Sequence, residues 1–228
     1  LSYKQAVELA EEQALKTVMA GNNYNLTKKR FYNDLVTVGI AATKTEFNKS
    51  EGAVISYVDP VNLVYSHTDS PYFEDIYYVG EVKAIPINEL VREFPDLTDS
   101  EINEIVSKNY KNNSYKYSTR KSIKDDNVVH VLYFNYKTYN NEVYKIKKTG
   151  SGGEKAIRKS DNFNPPENKN GDYTREAKKL EVLYDGVFAL GCNKLLKWEL
   201  AKNMVRSKSD FNKVKMNYSI VAPKIYEG

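Results

Sequence analysis

The spacing of apolar residues changes along the chain, and this change limits the folds that the chain can adopt. In the first segment apolar residues recur every three or four positions, at Ala6, Val7, Leu9, Ala10, Ala14, Leu15, Val18 and Met19. That spacing predicts an amphipathic helix, which Gly21 and Asn22 should end. From about residue 43 apolar and polar residues alternate, as they do in half-buried strands. We therefore expect an α+β fold with N-terminal helices.

A second helix and a hairpin are expected next. The helix should begin near Asn25 or Thr27 and cover "KKRFYNDLVTVGIAA", with Ala42 on its apolar face, unless Gly39, which lies among β-branched residues, ends it early. The runs "TKTEF" and "AVISYVD" are typical of two strands joined by the turn "NKSEG". Asp59-Pro60 then interrupts the sheet. The run "DIYYVGEVKAI" is the strongest strand, and its continuous apolar residues indicate burial on both faces near Val79.

Two short helices are predicted after this strand. The run "PINELVREF" has Pro86 at a helix start, and "LTDSEINEIVSKN" has Thr98 and Glu101 at the spacing of a capping box. A polar stretch from about residue 109 to residue 126 should be a loop. It divides the chain into an α+β region, residues 1–126, and a β-rich region, residues 127–228.

The β-rich region is predicted to begin with a hairpin, "NVVHVLYFNYKTY" and "EVYKIKKTG", whose turn is Asn140-Asn141. Residues 149–179 are rich in Gly, Ser, Asn, Pro and Lys and should form a long flexible polar loop. The run "KLEVLYDGVFAL" is a strand with a bulge or turn at Gly186. We expect "KLLKWELAKNMVR" to be a short helix or irregular, and a last strand to stop at Pro223. The sheet is expected to be mixed or antiparallel.

Composition excludes several classes of protein. The 228 residues are 41% hydrophobic and 28% charged, which excludes wholesale disorder. Cys192 is the only cysteine, so the chain has neither a disulfide framework nor a cysteine cluster for zinc. The sequence contains no run of about 18 apolar residues, so it predicts no transmembrane helix. The chain begins at Leu1 without a signal peptide, and we expect it to be a piece of a longer protein.

Few residues suggest catalysis. Cys192 could pair with His67 or His130 as nucleophile and base, but no catalytic sequence context surrounds them. A surface histidine and a strand histidine are the better interpretations. The run "GSGG" at residues 150–153 lacks the Gly-Lys-Ser/Thr and the helix of a phosphate-binding loop, so it predicts a flexible turn.

A loose group of acidic residues has two interpretations. It could bind a metal or act as acid and base, but Asp-Pro and Asp-Ser-Pro are also ordinary turn sequences. Its members are Asp59, Asp69, Glu74 and Asp75. No calcium-loop spacing is present. The sequence therefore predicts a structural or interaction protein, not an enzyme.

Basic residues concentrate in and around the expected polar loop, with Tyr144 and Tyr173 between them. They are Lys145, Lys147, Lys148, Lys155, Arg158, Lys159, Lys169, Arg175, Lys178 and Lys179. They could contact phosphates without sequence preference, or they could keep a loop solvated. The net charge of +4 does not by itself indicate nucleic-acid binding. The candidate nucleic-acid contacts are Lys155, Arg158, Lys159, Lys178 and Lys179.

A fixed order of motifs runs from about Tyr32 to Asn109. A helix with "YNDLVTVGIAATKTEF" precedes a hairpin into "VISYVDPVNLVYS", then "SPYFEDIYYVGEVKAI" and "INELVREFPDLTDSEI". This order resembles the wing region of tailed-bacteriophage portal proteins, whose pattern is a "v-DP-x-n-v-y" strand, an "fed-a-x-f-v-g-e-v" strand and an "x-e-l-x-e-x-y-P" helix. Residues 127–228 more loosely resemble the clip region and the return to the wing. The motifs are most similar to those of portals of crAss-like gut phages.

The resemblance implies a subunit of a ring, usually a dodecamer, at one vertex of the capsid. Such a ring admits double-stranded DNA without sequence specificity, docks the large terminase subunit and contacts the major capsid protein and the head–tail adaptor or tail proteins. It implies no cofactor, no catalysis and no membrane partner. It places the protein in the virion, after assembly in the host bacterial cytoplasm. The long channel-lining helix and the helical crown of the family are absent from this sequence.

Two other functions remain open from the sequence. The first is a free-standing, mildly basic nucleic-acid-binding or host-interaction domain, which should show one contiguous basic face. The second is an enzyme with an unrecognised site, which should show a deep pocket with perturbed titratable groups. A portal subunit should instead show an elongated α+β shape with large complementary side surfaces.

Overall fold

The computed structural model describes residues 2–111, 128–149, 152–160, 163 and 173–223. The fold is α+β with N-terminal helices, as expected. The described helices are α1 (Ser2–Gly21), α2 (Tyr24–Thr37), α3 (Ile87–Glu93) and α4 (Asp99–Lys111). Within these ranges, no helix has the length and hydropathy needed to cross a bilayer.

The described strands are antiparallel to their neighbours and form two sheets and a ribbon. The small sheet has the order β11-β1-β2, and the large sheet has the order β3-β4-β5-β7-β8, with β6 paired to the end of β5. Strands β9 and β10 form the ribbon. The strands are β1 (Ala41–Asn48), β2 (Gly52–Val58), β3 (Leu63–Tyr65), β4 (Tyr78–Pro86), β5 (Val128–Lys148), β6 (Glu154–Lys159), β7 (Tyr173–Ala189), β8 (Lys194–Leu200), β9 (Val205–Arg206), β10 (Val214–Lys215) and β11 (Tyr218–Val221).

The N-terminal half follows the sequence predictions closely. Helix α2 ends before Gly39, whose φ of 85° is left-handed. Strands β1 and β2 form the expected hairpin. Val79 and the two residues after it in β4 are buried, but the three buried clusters lie on the Val79 face alone, so the predicted burial on both faces holds for one face only. The predicted boundary between the α+β region and the β-rich region, at residue 126, lies between β4 and β5 along the chain. These two strands pair with each other in the large sheet.

The predicted turn at Asn140-Asn141 is wrong. Strand β5 continues through both residues, and they pair with Leu180 and Lys179 of β7. The ladder between β5 and β7 runs without interruption from Val131 to Lys147. An Asn-Asn pair tolerates a turn locally. Here the ladder with β7 continues before and after the pair, so the strand does not turn.

The prediction of a loop over residues 149–179 is also wrong in part. Strand β6 and residues 173–179 of β7 are paired to β5 within this range, while residues 150–151, 161–162 and 164–172 lie outside the described residues. The expected short helix near residue 194 is β8, an edge strand of the large sheet. In each case a partner strand determines the structure where local composition is polar or ambiguous.

Three buried clusters cover one face of the large sheet, the face that carries Val79, Val131 and Leu183. The first cluster packs the small sheet against β4. The second packs α3 and α4 against β4, β5 and β7 through residues such as Leu90 and Ile105, which are fully buried. The third lies where β7 meets the chain around β10. The hydrophobic core therefore lies on one side of the large sheet.

On the opposite side of the sheet, the ring of Phe134 packs directly against the backbone of Gly186. A Cβ at this position would come within 2.8 Å of three atoms of the Phe134 ring. The ring of Phe134 thus lies across β7 only because Gly186 has no side chain. The strand has a register irregularity at the next step, between Val187 and Phe188, close to the bulge that the sequence suggested.

We expect Gly186→Ala to destabilise the protein by roughly 1–3 kcal/mol, the usual range for overpacking. Chemical denaturation should show this as a lower midpoint. Gly21→Ala is the matched control, because a Cβ there meets nothing within 4 Å. Combining Gly186→Ala with Phe134→Ala should show strong non-additivity, since one change removes the clash made by the other. A neutral Gly186→Ala variant would contradict this packing.

The N-terminus of α4 is joined to β8 through Glu101. The backbone N–H of Thr98 donates to Glu101 Oε2 at 2.9 Å, which is half of the predicted capping box. The Thr98 hydroxyl donates to the same oxygen, and Lys194 of β8 forms an ion pair with the carboxylate. The bond from Lys194, followed by the bonds from Thr98, lowers the pKa of Glu101 from 4.5 to about 2.

Because this pKa is lowered on folding, the contacts of Glu101 add stability above pH 4.5, and that stability is lost as the pH falls toward 2. We expect Glu101→Gln to lower the unfolding temperature at pH 7 and to converge with the wild type near pH 2. Thermal melts across this range measure the difference. Glu11→Gln, which removes an exposed charge from α1, is the control. A constant gap between the Glu101→Gln variant and the wild type at all pH values would contradict this linkage.

Candidate nucleic-acid interface

The far ends of β5 and β7, together with β6, form a three-stranded arm. The arm consists of residues 141–148 of β5, all of β6 and residues 173–179 of β7. Strand β5 is central and pairs with β6 on one side and β7 on the other. None of the three buried clusters includes an arm residue. The arm therefore extends past the part of the sheet that the core covers.

One face of the arm is basic. Cross-strand partners share a face, and successive residues of a strand point to opposite faces, so the odd-numbered residues of all three strands lie together. They include six cations, Lys145, Lys147, Lys155, Lys159, Arg175 and Lys179. None of the other odd-numbered residues in the arm is acidic. We call this surface the basic face.

The basic face is nearly regular, and its cations are exposed apart from the half-buried Lys145, while Val143 between them is buried. Lys147 lies opposite Lys155, and Lys145 lies opposite Arg175. Neighbouring strands are about 4.8 Å apart and successive rows about 6.8 Å apart, so the face measures about 10 Å by 20 Å. Such a surface can meet several charges of a flat polyanion but encloses none of them.

Aromatic rings hold three of the six cations in place. Each ammonium nitrogen lies over a ring at 3.7–5.5 Å from its centroid, a distance at which the ring quadrupole attracts it. The pairs are Lys145 with Tyr173, Lys179 with Tyr139 and Lys159 with Phe163. Arg175 Nε also donates to the Phe163 carbonyl at 2.9 Å. Among the described residues, no carboxylate forms an ion pair with any of the six.

The other face of the arm has balanced charge. Its cations are Lys148, Arg158 and Lys178, and its anions are Glu142, Glu154 and Glu176. Arg158 pairs with Glu142 at 3.2 Å, and Lys178 pairs with Glu176 at 3.3 Å. Tyr144 donates its hydroxyl to Glu142, which raises the pKa of the tyrosine. This face leaves little net charge for a partner.

The structure separates the five candidate contacts into two groups. Lys155, Lys159 and Lys179 lie on the basic face, whereas Arg158 and Lys178 lie on the balanced face in ion pairs. Lys145, Lys147 and Arg175, which are not among the five candidates, also lie on the basic face. The alternation of odd and even positions could have indicated them, but only after β6 and β7 were recognised as strands. Lys169 lies outside the described residues.

The structure does not bring the catalytic candidates together. His67 is exposed, with Nε2 3.2 Å from Asp69 Oδ1 on a neighbouring exposed side chain. His130 is a strand residue opposite Ala84, and Cys192 Sγ donates to the Ala189 carbonyl at 3.5 Å. In the described part of the chain, no hydrogen bond joins Cys192 to either histidine.

The acidic residues near β3 support turns. Asp59 Oδ1 accepts from the N–H of Val61 at 3.0 Å and so caps the turn Pro60–Asn62. Asp75 accepts from the Thr68 hydroxyl and from the backbone N–H of Asp69, and these bonds lower its pKa. No group of three or more potential metal ligands occurs among the described residues.

Gly152 and Gly153 lie in the connection between β5 and β6. Thr149 N–H donates to the Gly153 carbonyl at 2.7 Å, and Gly152 has a left-handed φ of 82°. Gly150 and Ser151 lie outside the described residues. Gly152 thus supplies the left-handed backbone in the connection that brings β6 beside β5.

No protein-family model matches this sequence, and the search of curated proteins finds no match either. The geometry of the arm is therefore the main guide to function.

Removing three cations from one face of the arm at a time tests the interface. Replacing Lys147, Lys155 and Lys179 by Gln should weaken binding to duplex DNA at least tenfold near 0.1 M salt, because about three phosphate contacts are lost. The salt dependence of log K should become shallower by about 2.7, since each phosphate contributes about 0.9. Fluorescence anisotropy with DNA of unrelated sequences measures both quantities.

The matched control replaces Lys148, Arg158 and Lys178, which removes the same charge from the balanced face. This variant should keep an affinity close to that of the wild type. Equal losses in both triple variants would show that only total charge matters, which contradicts a defined basic face.

Proposed function

We propose that this chain is part of a structural, ring-forming subunit of the portal class of tailed bacteriophages. In this proposal the basic face of the arm lies against the DNA backbone and reads no sequence. The observation that carries the DNA contact in this proposal is the basic face, six cations on one side of the arm with no acidic residue among the arm residues of that side. The order of motifs over Tyr32–Asn109 supports the portal class.

The form of the basic face suits DNA that moves. It is flat and about 20 Å long, so it can contact at most about six phosphates at once. Lysine binds phosphate as a point charge and does not fix its orientation. Contacts of this kind are exchangeable and depend strongly on salt. A passing duplex would be guided by such a surface and not held by it.

The proposal includes the partners that the resemblance implies. They are further copies of the chain in a ring, the large terminase subunit, the major capsid protein and the head–tail adaptor or tail proteins. It includes no cofactor and no catalytic step, and it places the protein at the portal vertex of the virion.

A free-standing nucleic-acid-binding domain is the second candidate, and the same observation favours it. One contiguous basic face is the feature that we expected of this alternative. The two candidates differ in their assembly. A portal subunit requires head-to-tail contacts that close into a ring, whereas a free-standing domain binds as a monomer or small oligomer.

Assembly of the full-length protein that contains this chain tests the proposal. Mass photometry should show one closed species of many subunits, and negative-stain images should show rings with a central opening. Duplex DNA should bind with micromolar or weaker affinity near 0.15 M salt, in the usual range of non-specific binding.

Two outcomes would count against a portal subunit. The first is a full-length protein that stays monomeric at every concentration. The second is tight, salt-sensitive binding of DNA by the isolated protein, because a channel surface must release the duplex as it passes.

A further inference from the structure

The ribbon of β9 and β10 carries a second group of cations outside the arm. Residues 202–215 contain five cations and one anion, a net charge of +4, which equals the net charge of the whole chain. The cations are Lys202, Arg206, Lys208, Lys213 and Lys215. Three of them, at positions 208, 213 and 215, are exposed and form no ion pair within the described part of the chain. Their charge is therefore available to a partner.

The ribbon is attached beside the basic face through Glu181 of β7. The N–H of Glu181 donates to the Asn212 carbonyl at 2.9 Å, and the Val214 N–H donates to Glu181 Oε2 at 2.9 Å. Arg206 Nη1 also donates to the Glu181 carbonyl at 3.3 Å. Glu181 is itself buried. Because Lys179 is two positions from Glu181 on β7, the ribbon joins the sheet one row away from the basic face.

The ribbon and the basic face lie on the same side of the large sheet. Val214 of the ribbon packs against Leu183 of β7 in the third buried cluster. Leu183 and Lys179 are four positions apart on one strand, so their side chains point to the same side. No described element separates the ribbon from this end of the arm along β7. The positive charge of the arm thus continues onto the ribbon.

The spacing allows one duplex to meet both surfaces. Strands about 4.8 Å apart and rows about 6.8 Å apart place the Cα atoms of Lys179 and Lys213 on the order of 12 Å from each other. A duplex has one phosphate charge per about 1.7 Å of its axis, so about seven charges span this distance. A duplex that contacts Lys179 therefore has phosphates within reach of Lys213.

The loop of residues 207–213, which we call the ribbon loop, is held by its own hydrogen bonds. The Ser207 N–H donates to the Lys213 carbonyl at 3.0 Å, and the Lys213 N–H donates to the Asp210 carbonyl at 3.0 Å. Asp210 Oδ1 accepts from the Asn212 N–H at 2.9 Å, so the anion of the loop caps a turn. Because the backbone is ordered already, binding through this loop costs little conformational entropy.

We propose that the ribbon loop is a second contact for the DNA duplex that lies on the basic face, with Lys208 and Lys213 on its phosphates. Lysine meets phosphate as a point charge, so the added contact is independent of sequence. The inference rests on the DNA contact of the proposed function. It extends that contact from the arm to the body of the protein.

Fluorescence anisotropy of the 228-residue chain with a labelled duplex tests the second contact. Replacing both Lys208 and Lys213 by Gln should weaken binding about fivefold or more near 0.1 M salt, because two phosphate contacts are lost. The dependence of log K on log salt should become shallower by about 1.8. Added to the variant that lacks Lys147, Lys155 and Lys179, the change should bring the total to about 4.5, since five contacts to one duplex are then lost.

Two controls separate charge position from total charge and from folding. Replacing Lys28 and Lys29 of α2 by Gln removes the same charge from another exposed site and should leave binding unchanged. Replacing Lys208 and Lys213 by Arg keeps the charge and should keep both the affinity and the salt dependence. Circular dichroism checks the folding of each variant.

Four results would overturn the inference. The first is a Gln variant of the ribbon loop that binds like the wild type while the arm variant is weakened, which leaves the DNA contact of the arm intact. The second is an equal loss in the α2 control. The third is a combined variant whose salt dependence matches that of the arm variant alone. The fourth is a wild-type chain that does not bind DNA even at low salt, and only this result also removes the DNA contact of the proposed function.

Discussion

The uninterrupted pairing of β5 with β7 is the constraint on which the rest of this structure depends. Seventeen consecutive residues of β5, from Val131 to Lys147, each have a partner in β7. Strand β5 is 21 residues long, about 70 Å at about 3.3 Å per residue, whereas most strands have five or six residues. One end of this ladder lies in the core and the other end forms the arm. The ladder thereby holds a polar, charged segment in a regular sheet outside the three buried clusters, with Val143 as its buried apolar residue.

The same ladder determines which side chains act together. Because the side-chain period of a strand is two, a slip of one residue would move every side chain to the other face. In the body of the sheet, one face receives the two helices and the small sheet, and the other shows Trp198 and its aromatic neighbours. In the arm, one face collects six cations, and the other carries three cations and three anions, four of which form two ion pairs. The chain has a net charge of only +4, so the separation of charge between faces, not the total, makes the basic face.

The sequence predicted those elements whose signals are local. The helical period of α1, the end of α2 before Gly39 and the β1–β2 hairpin all depend on residues a few positions apart, and all are present. The capping box at Thr98 and Glu101 is half present, through the bond from the Thr98 N–H to Glu101. The errors at Asn140-Asn141, at β6 and at β8 occur where a distant partner decides the structure. The five candidate contacts lie on two different faces for the same reason. Lys155 and Arg158 are three residues apart in sequence, but only the pairing with β5 shows that they point to opposite faces.

Lysine acetylation footprinting with mass spectrometry tests the central claim, that one face of the arm meets a nucleic-acid backbone. The protein would be modified with and without duplex DNA of unrelated sequence at low salt. We expect DNA to protect Lys145, Lys147, Lys155, Lys159 and Lys179, and to leave Lys148 and Lys178 as reactive as before. Equal protection of the two faces, or protection confined to lysines outside the arm, would contradict the claim.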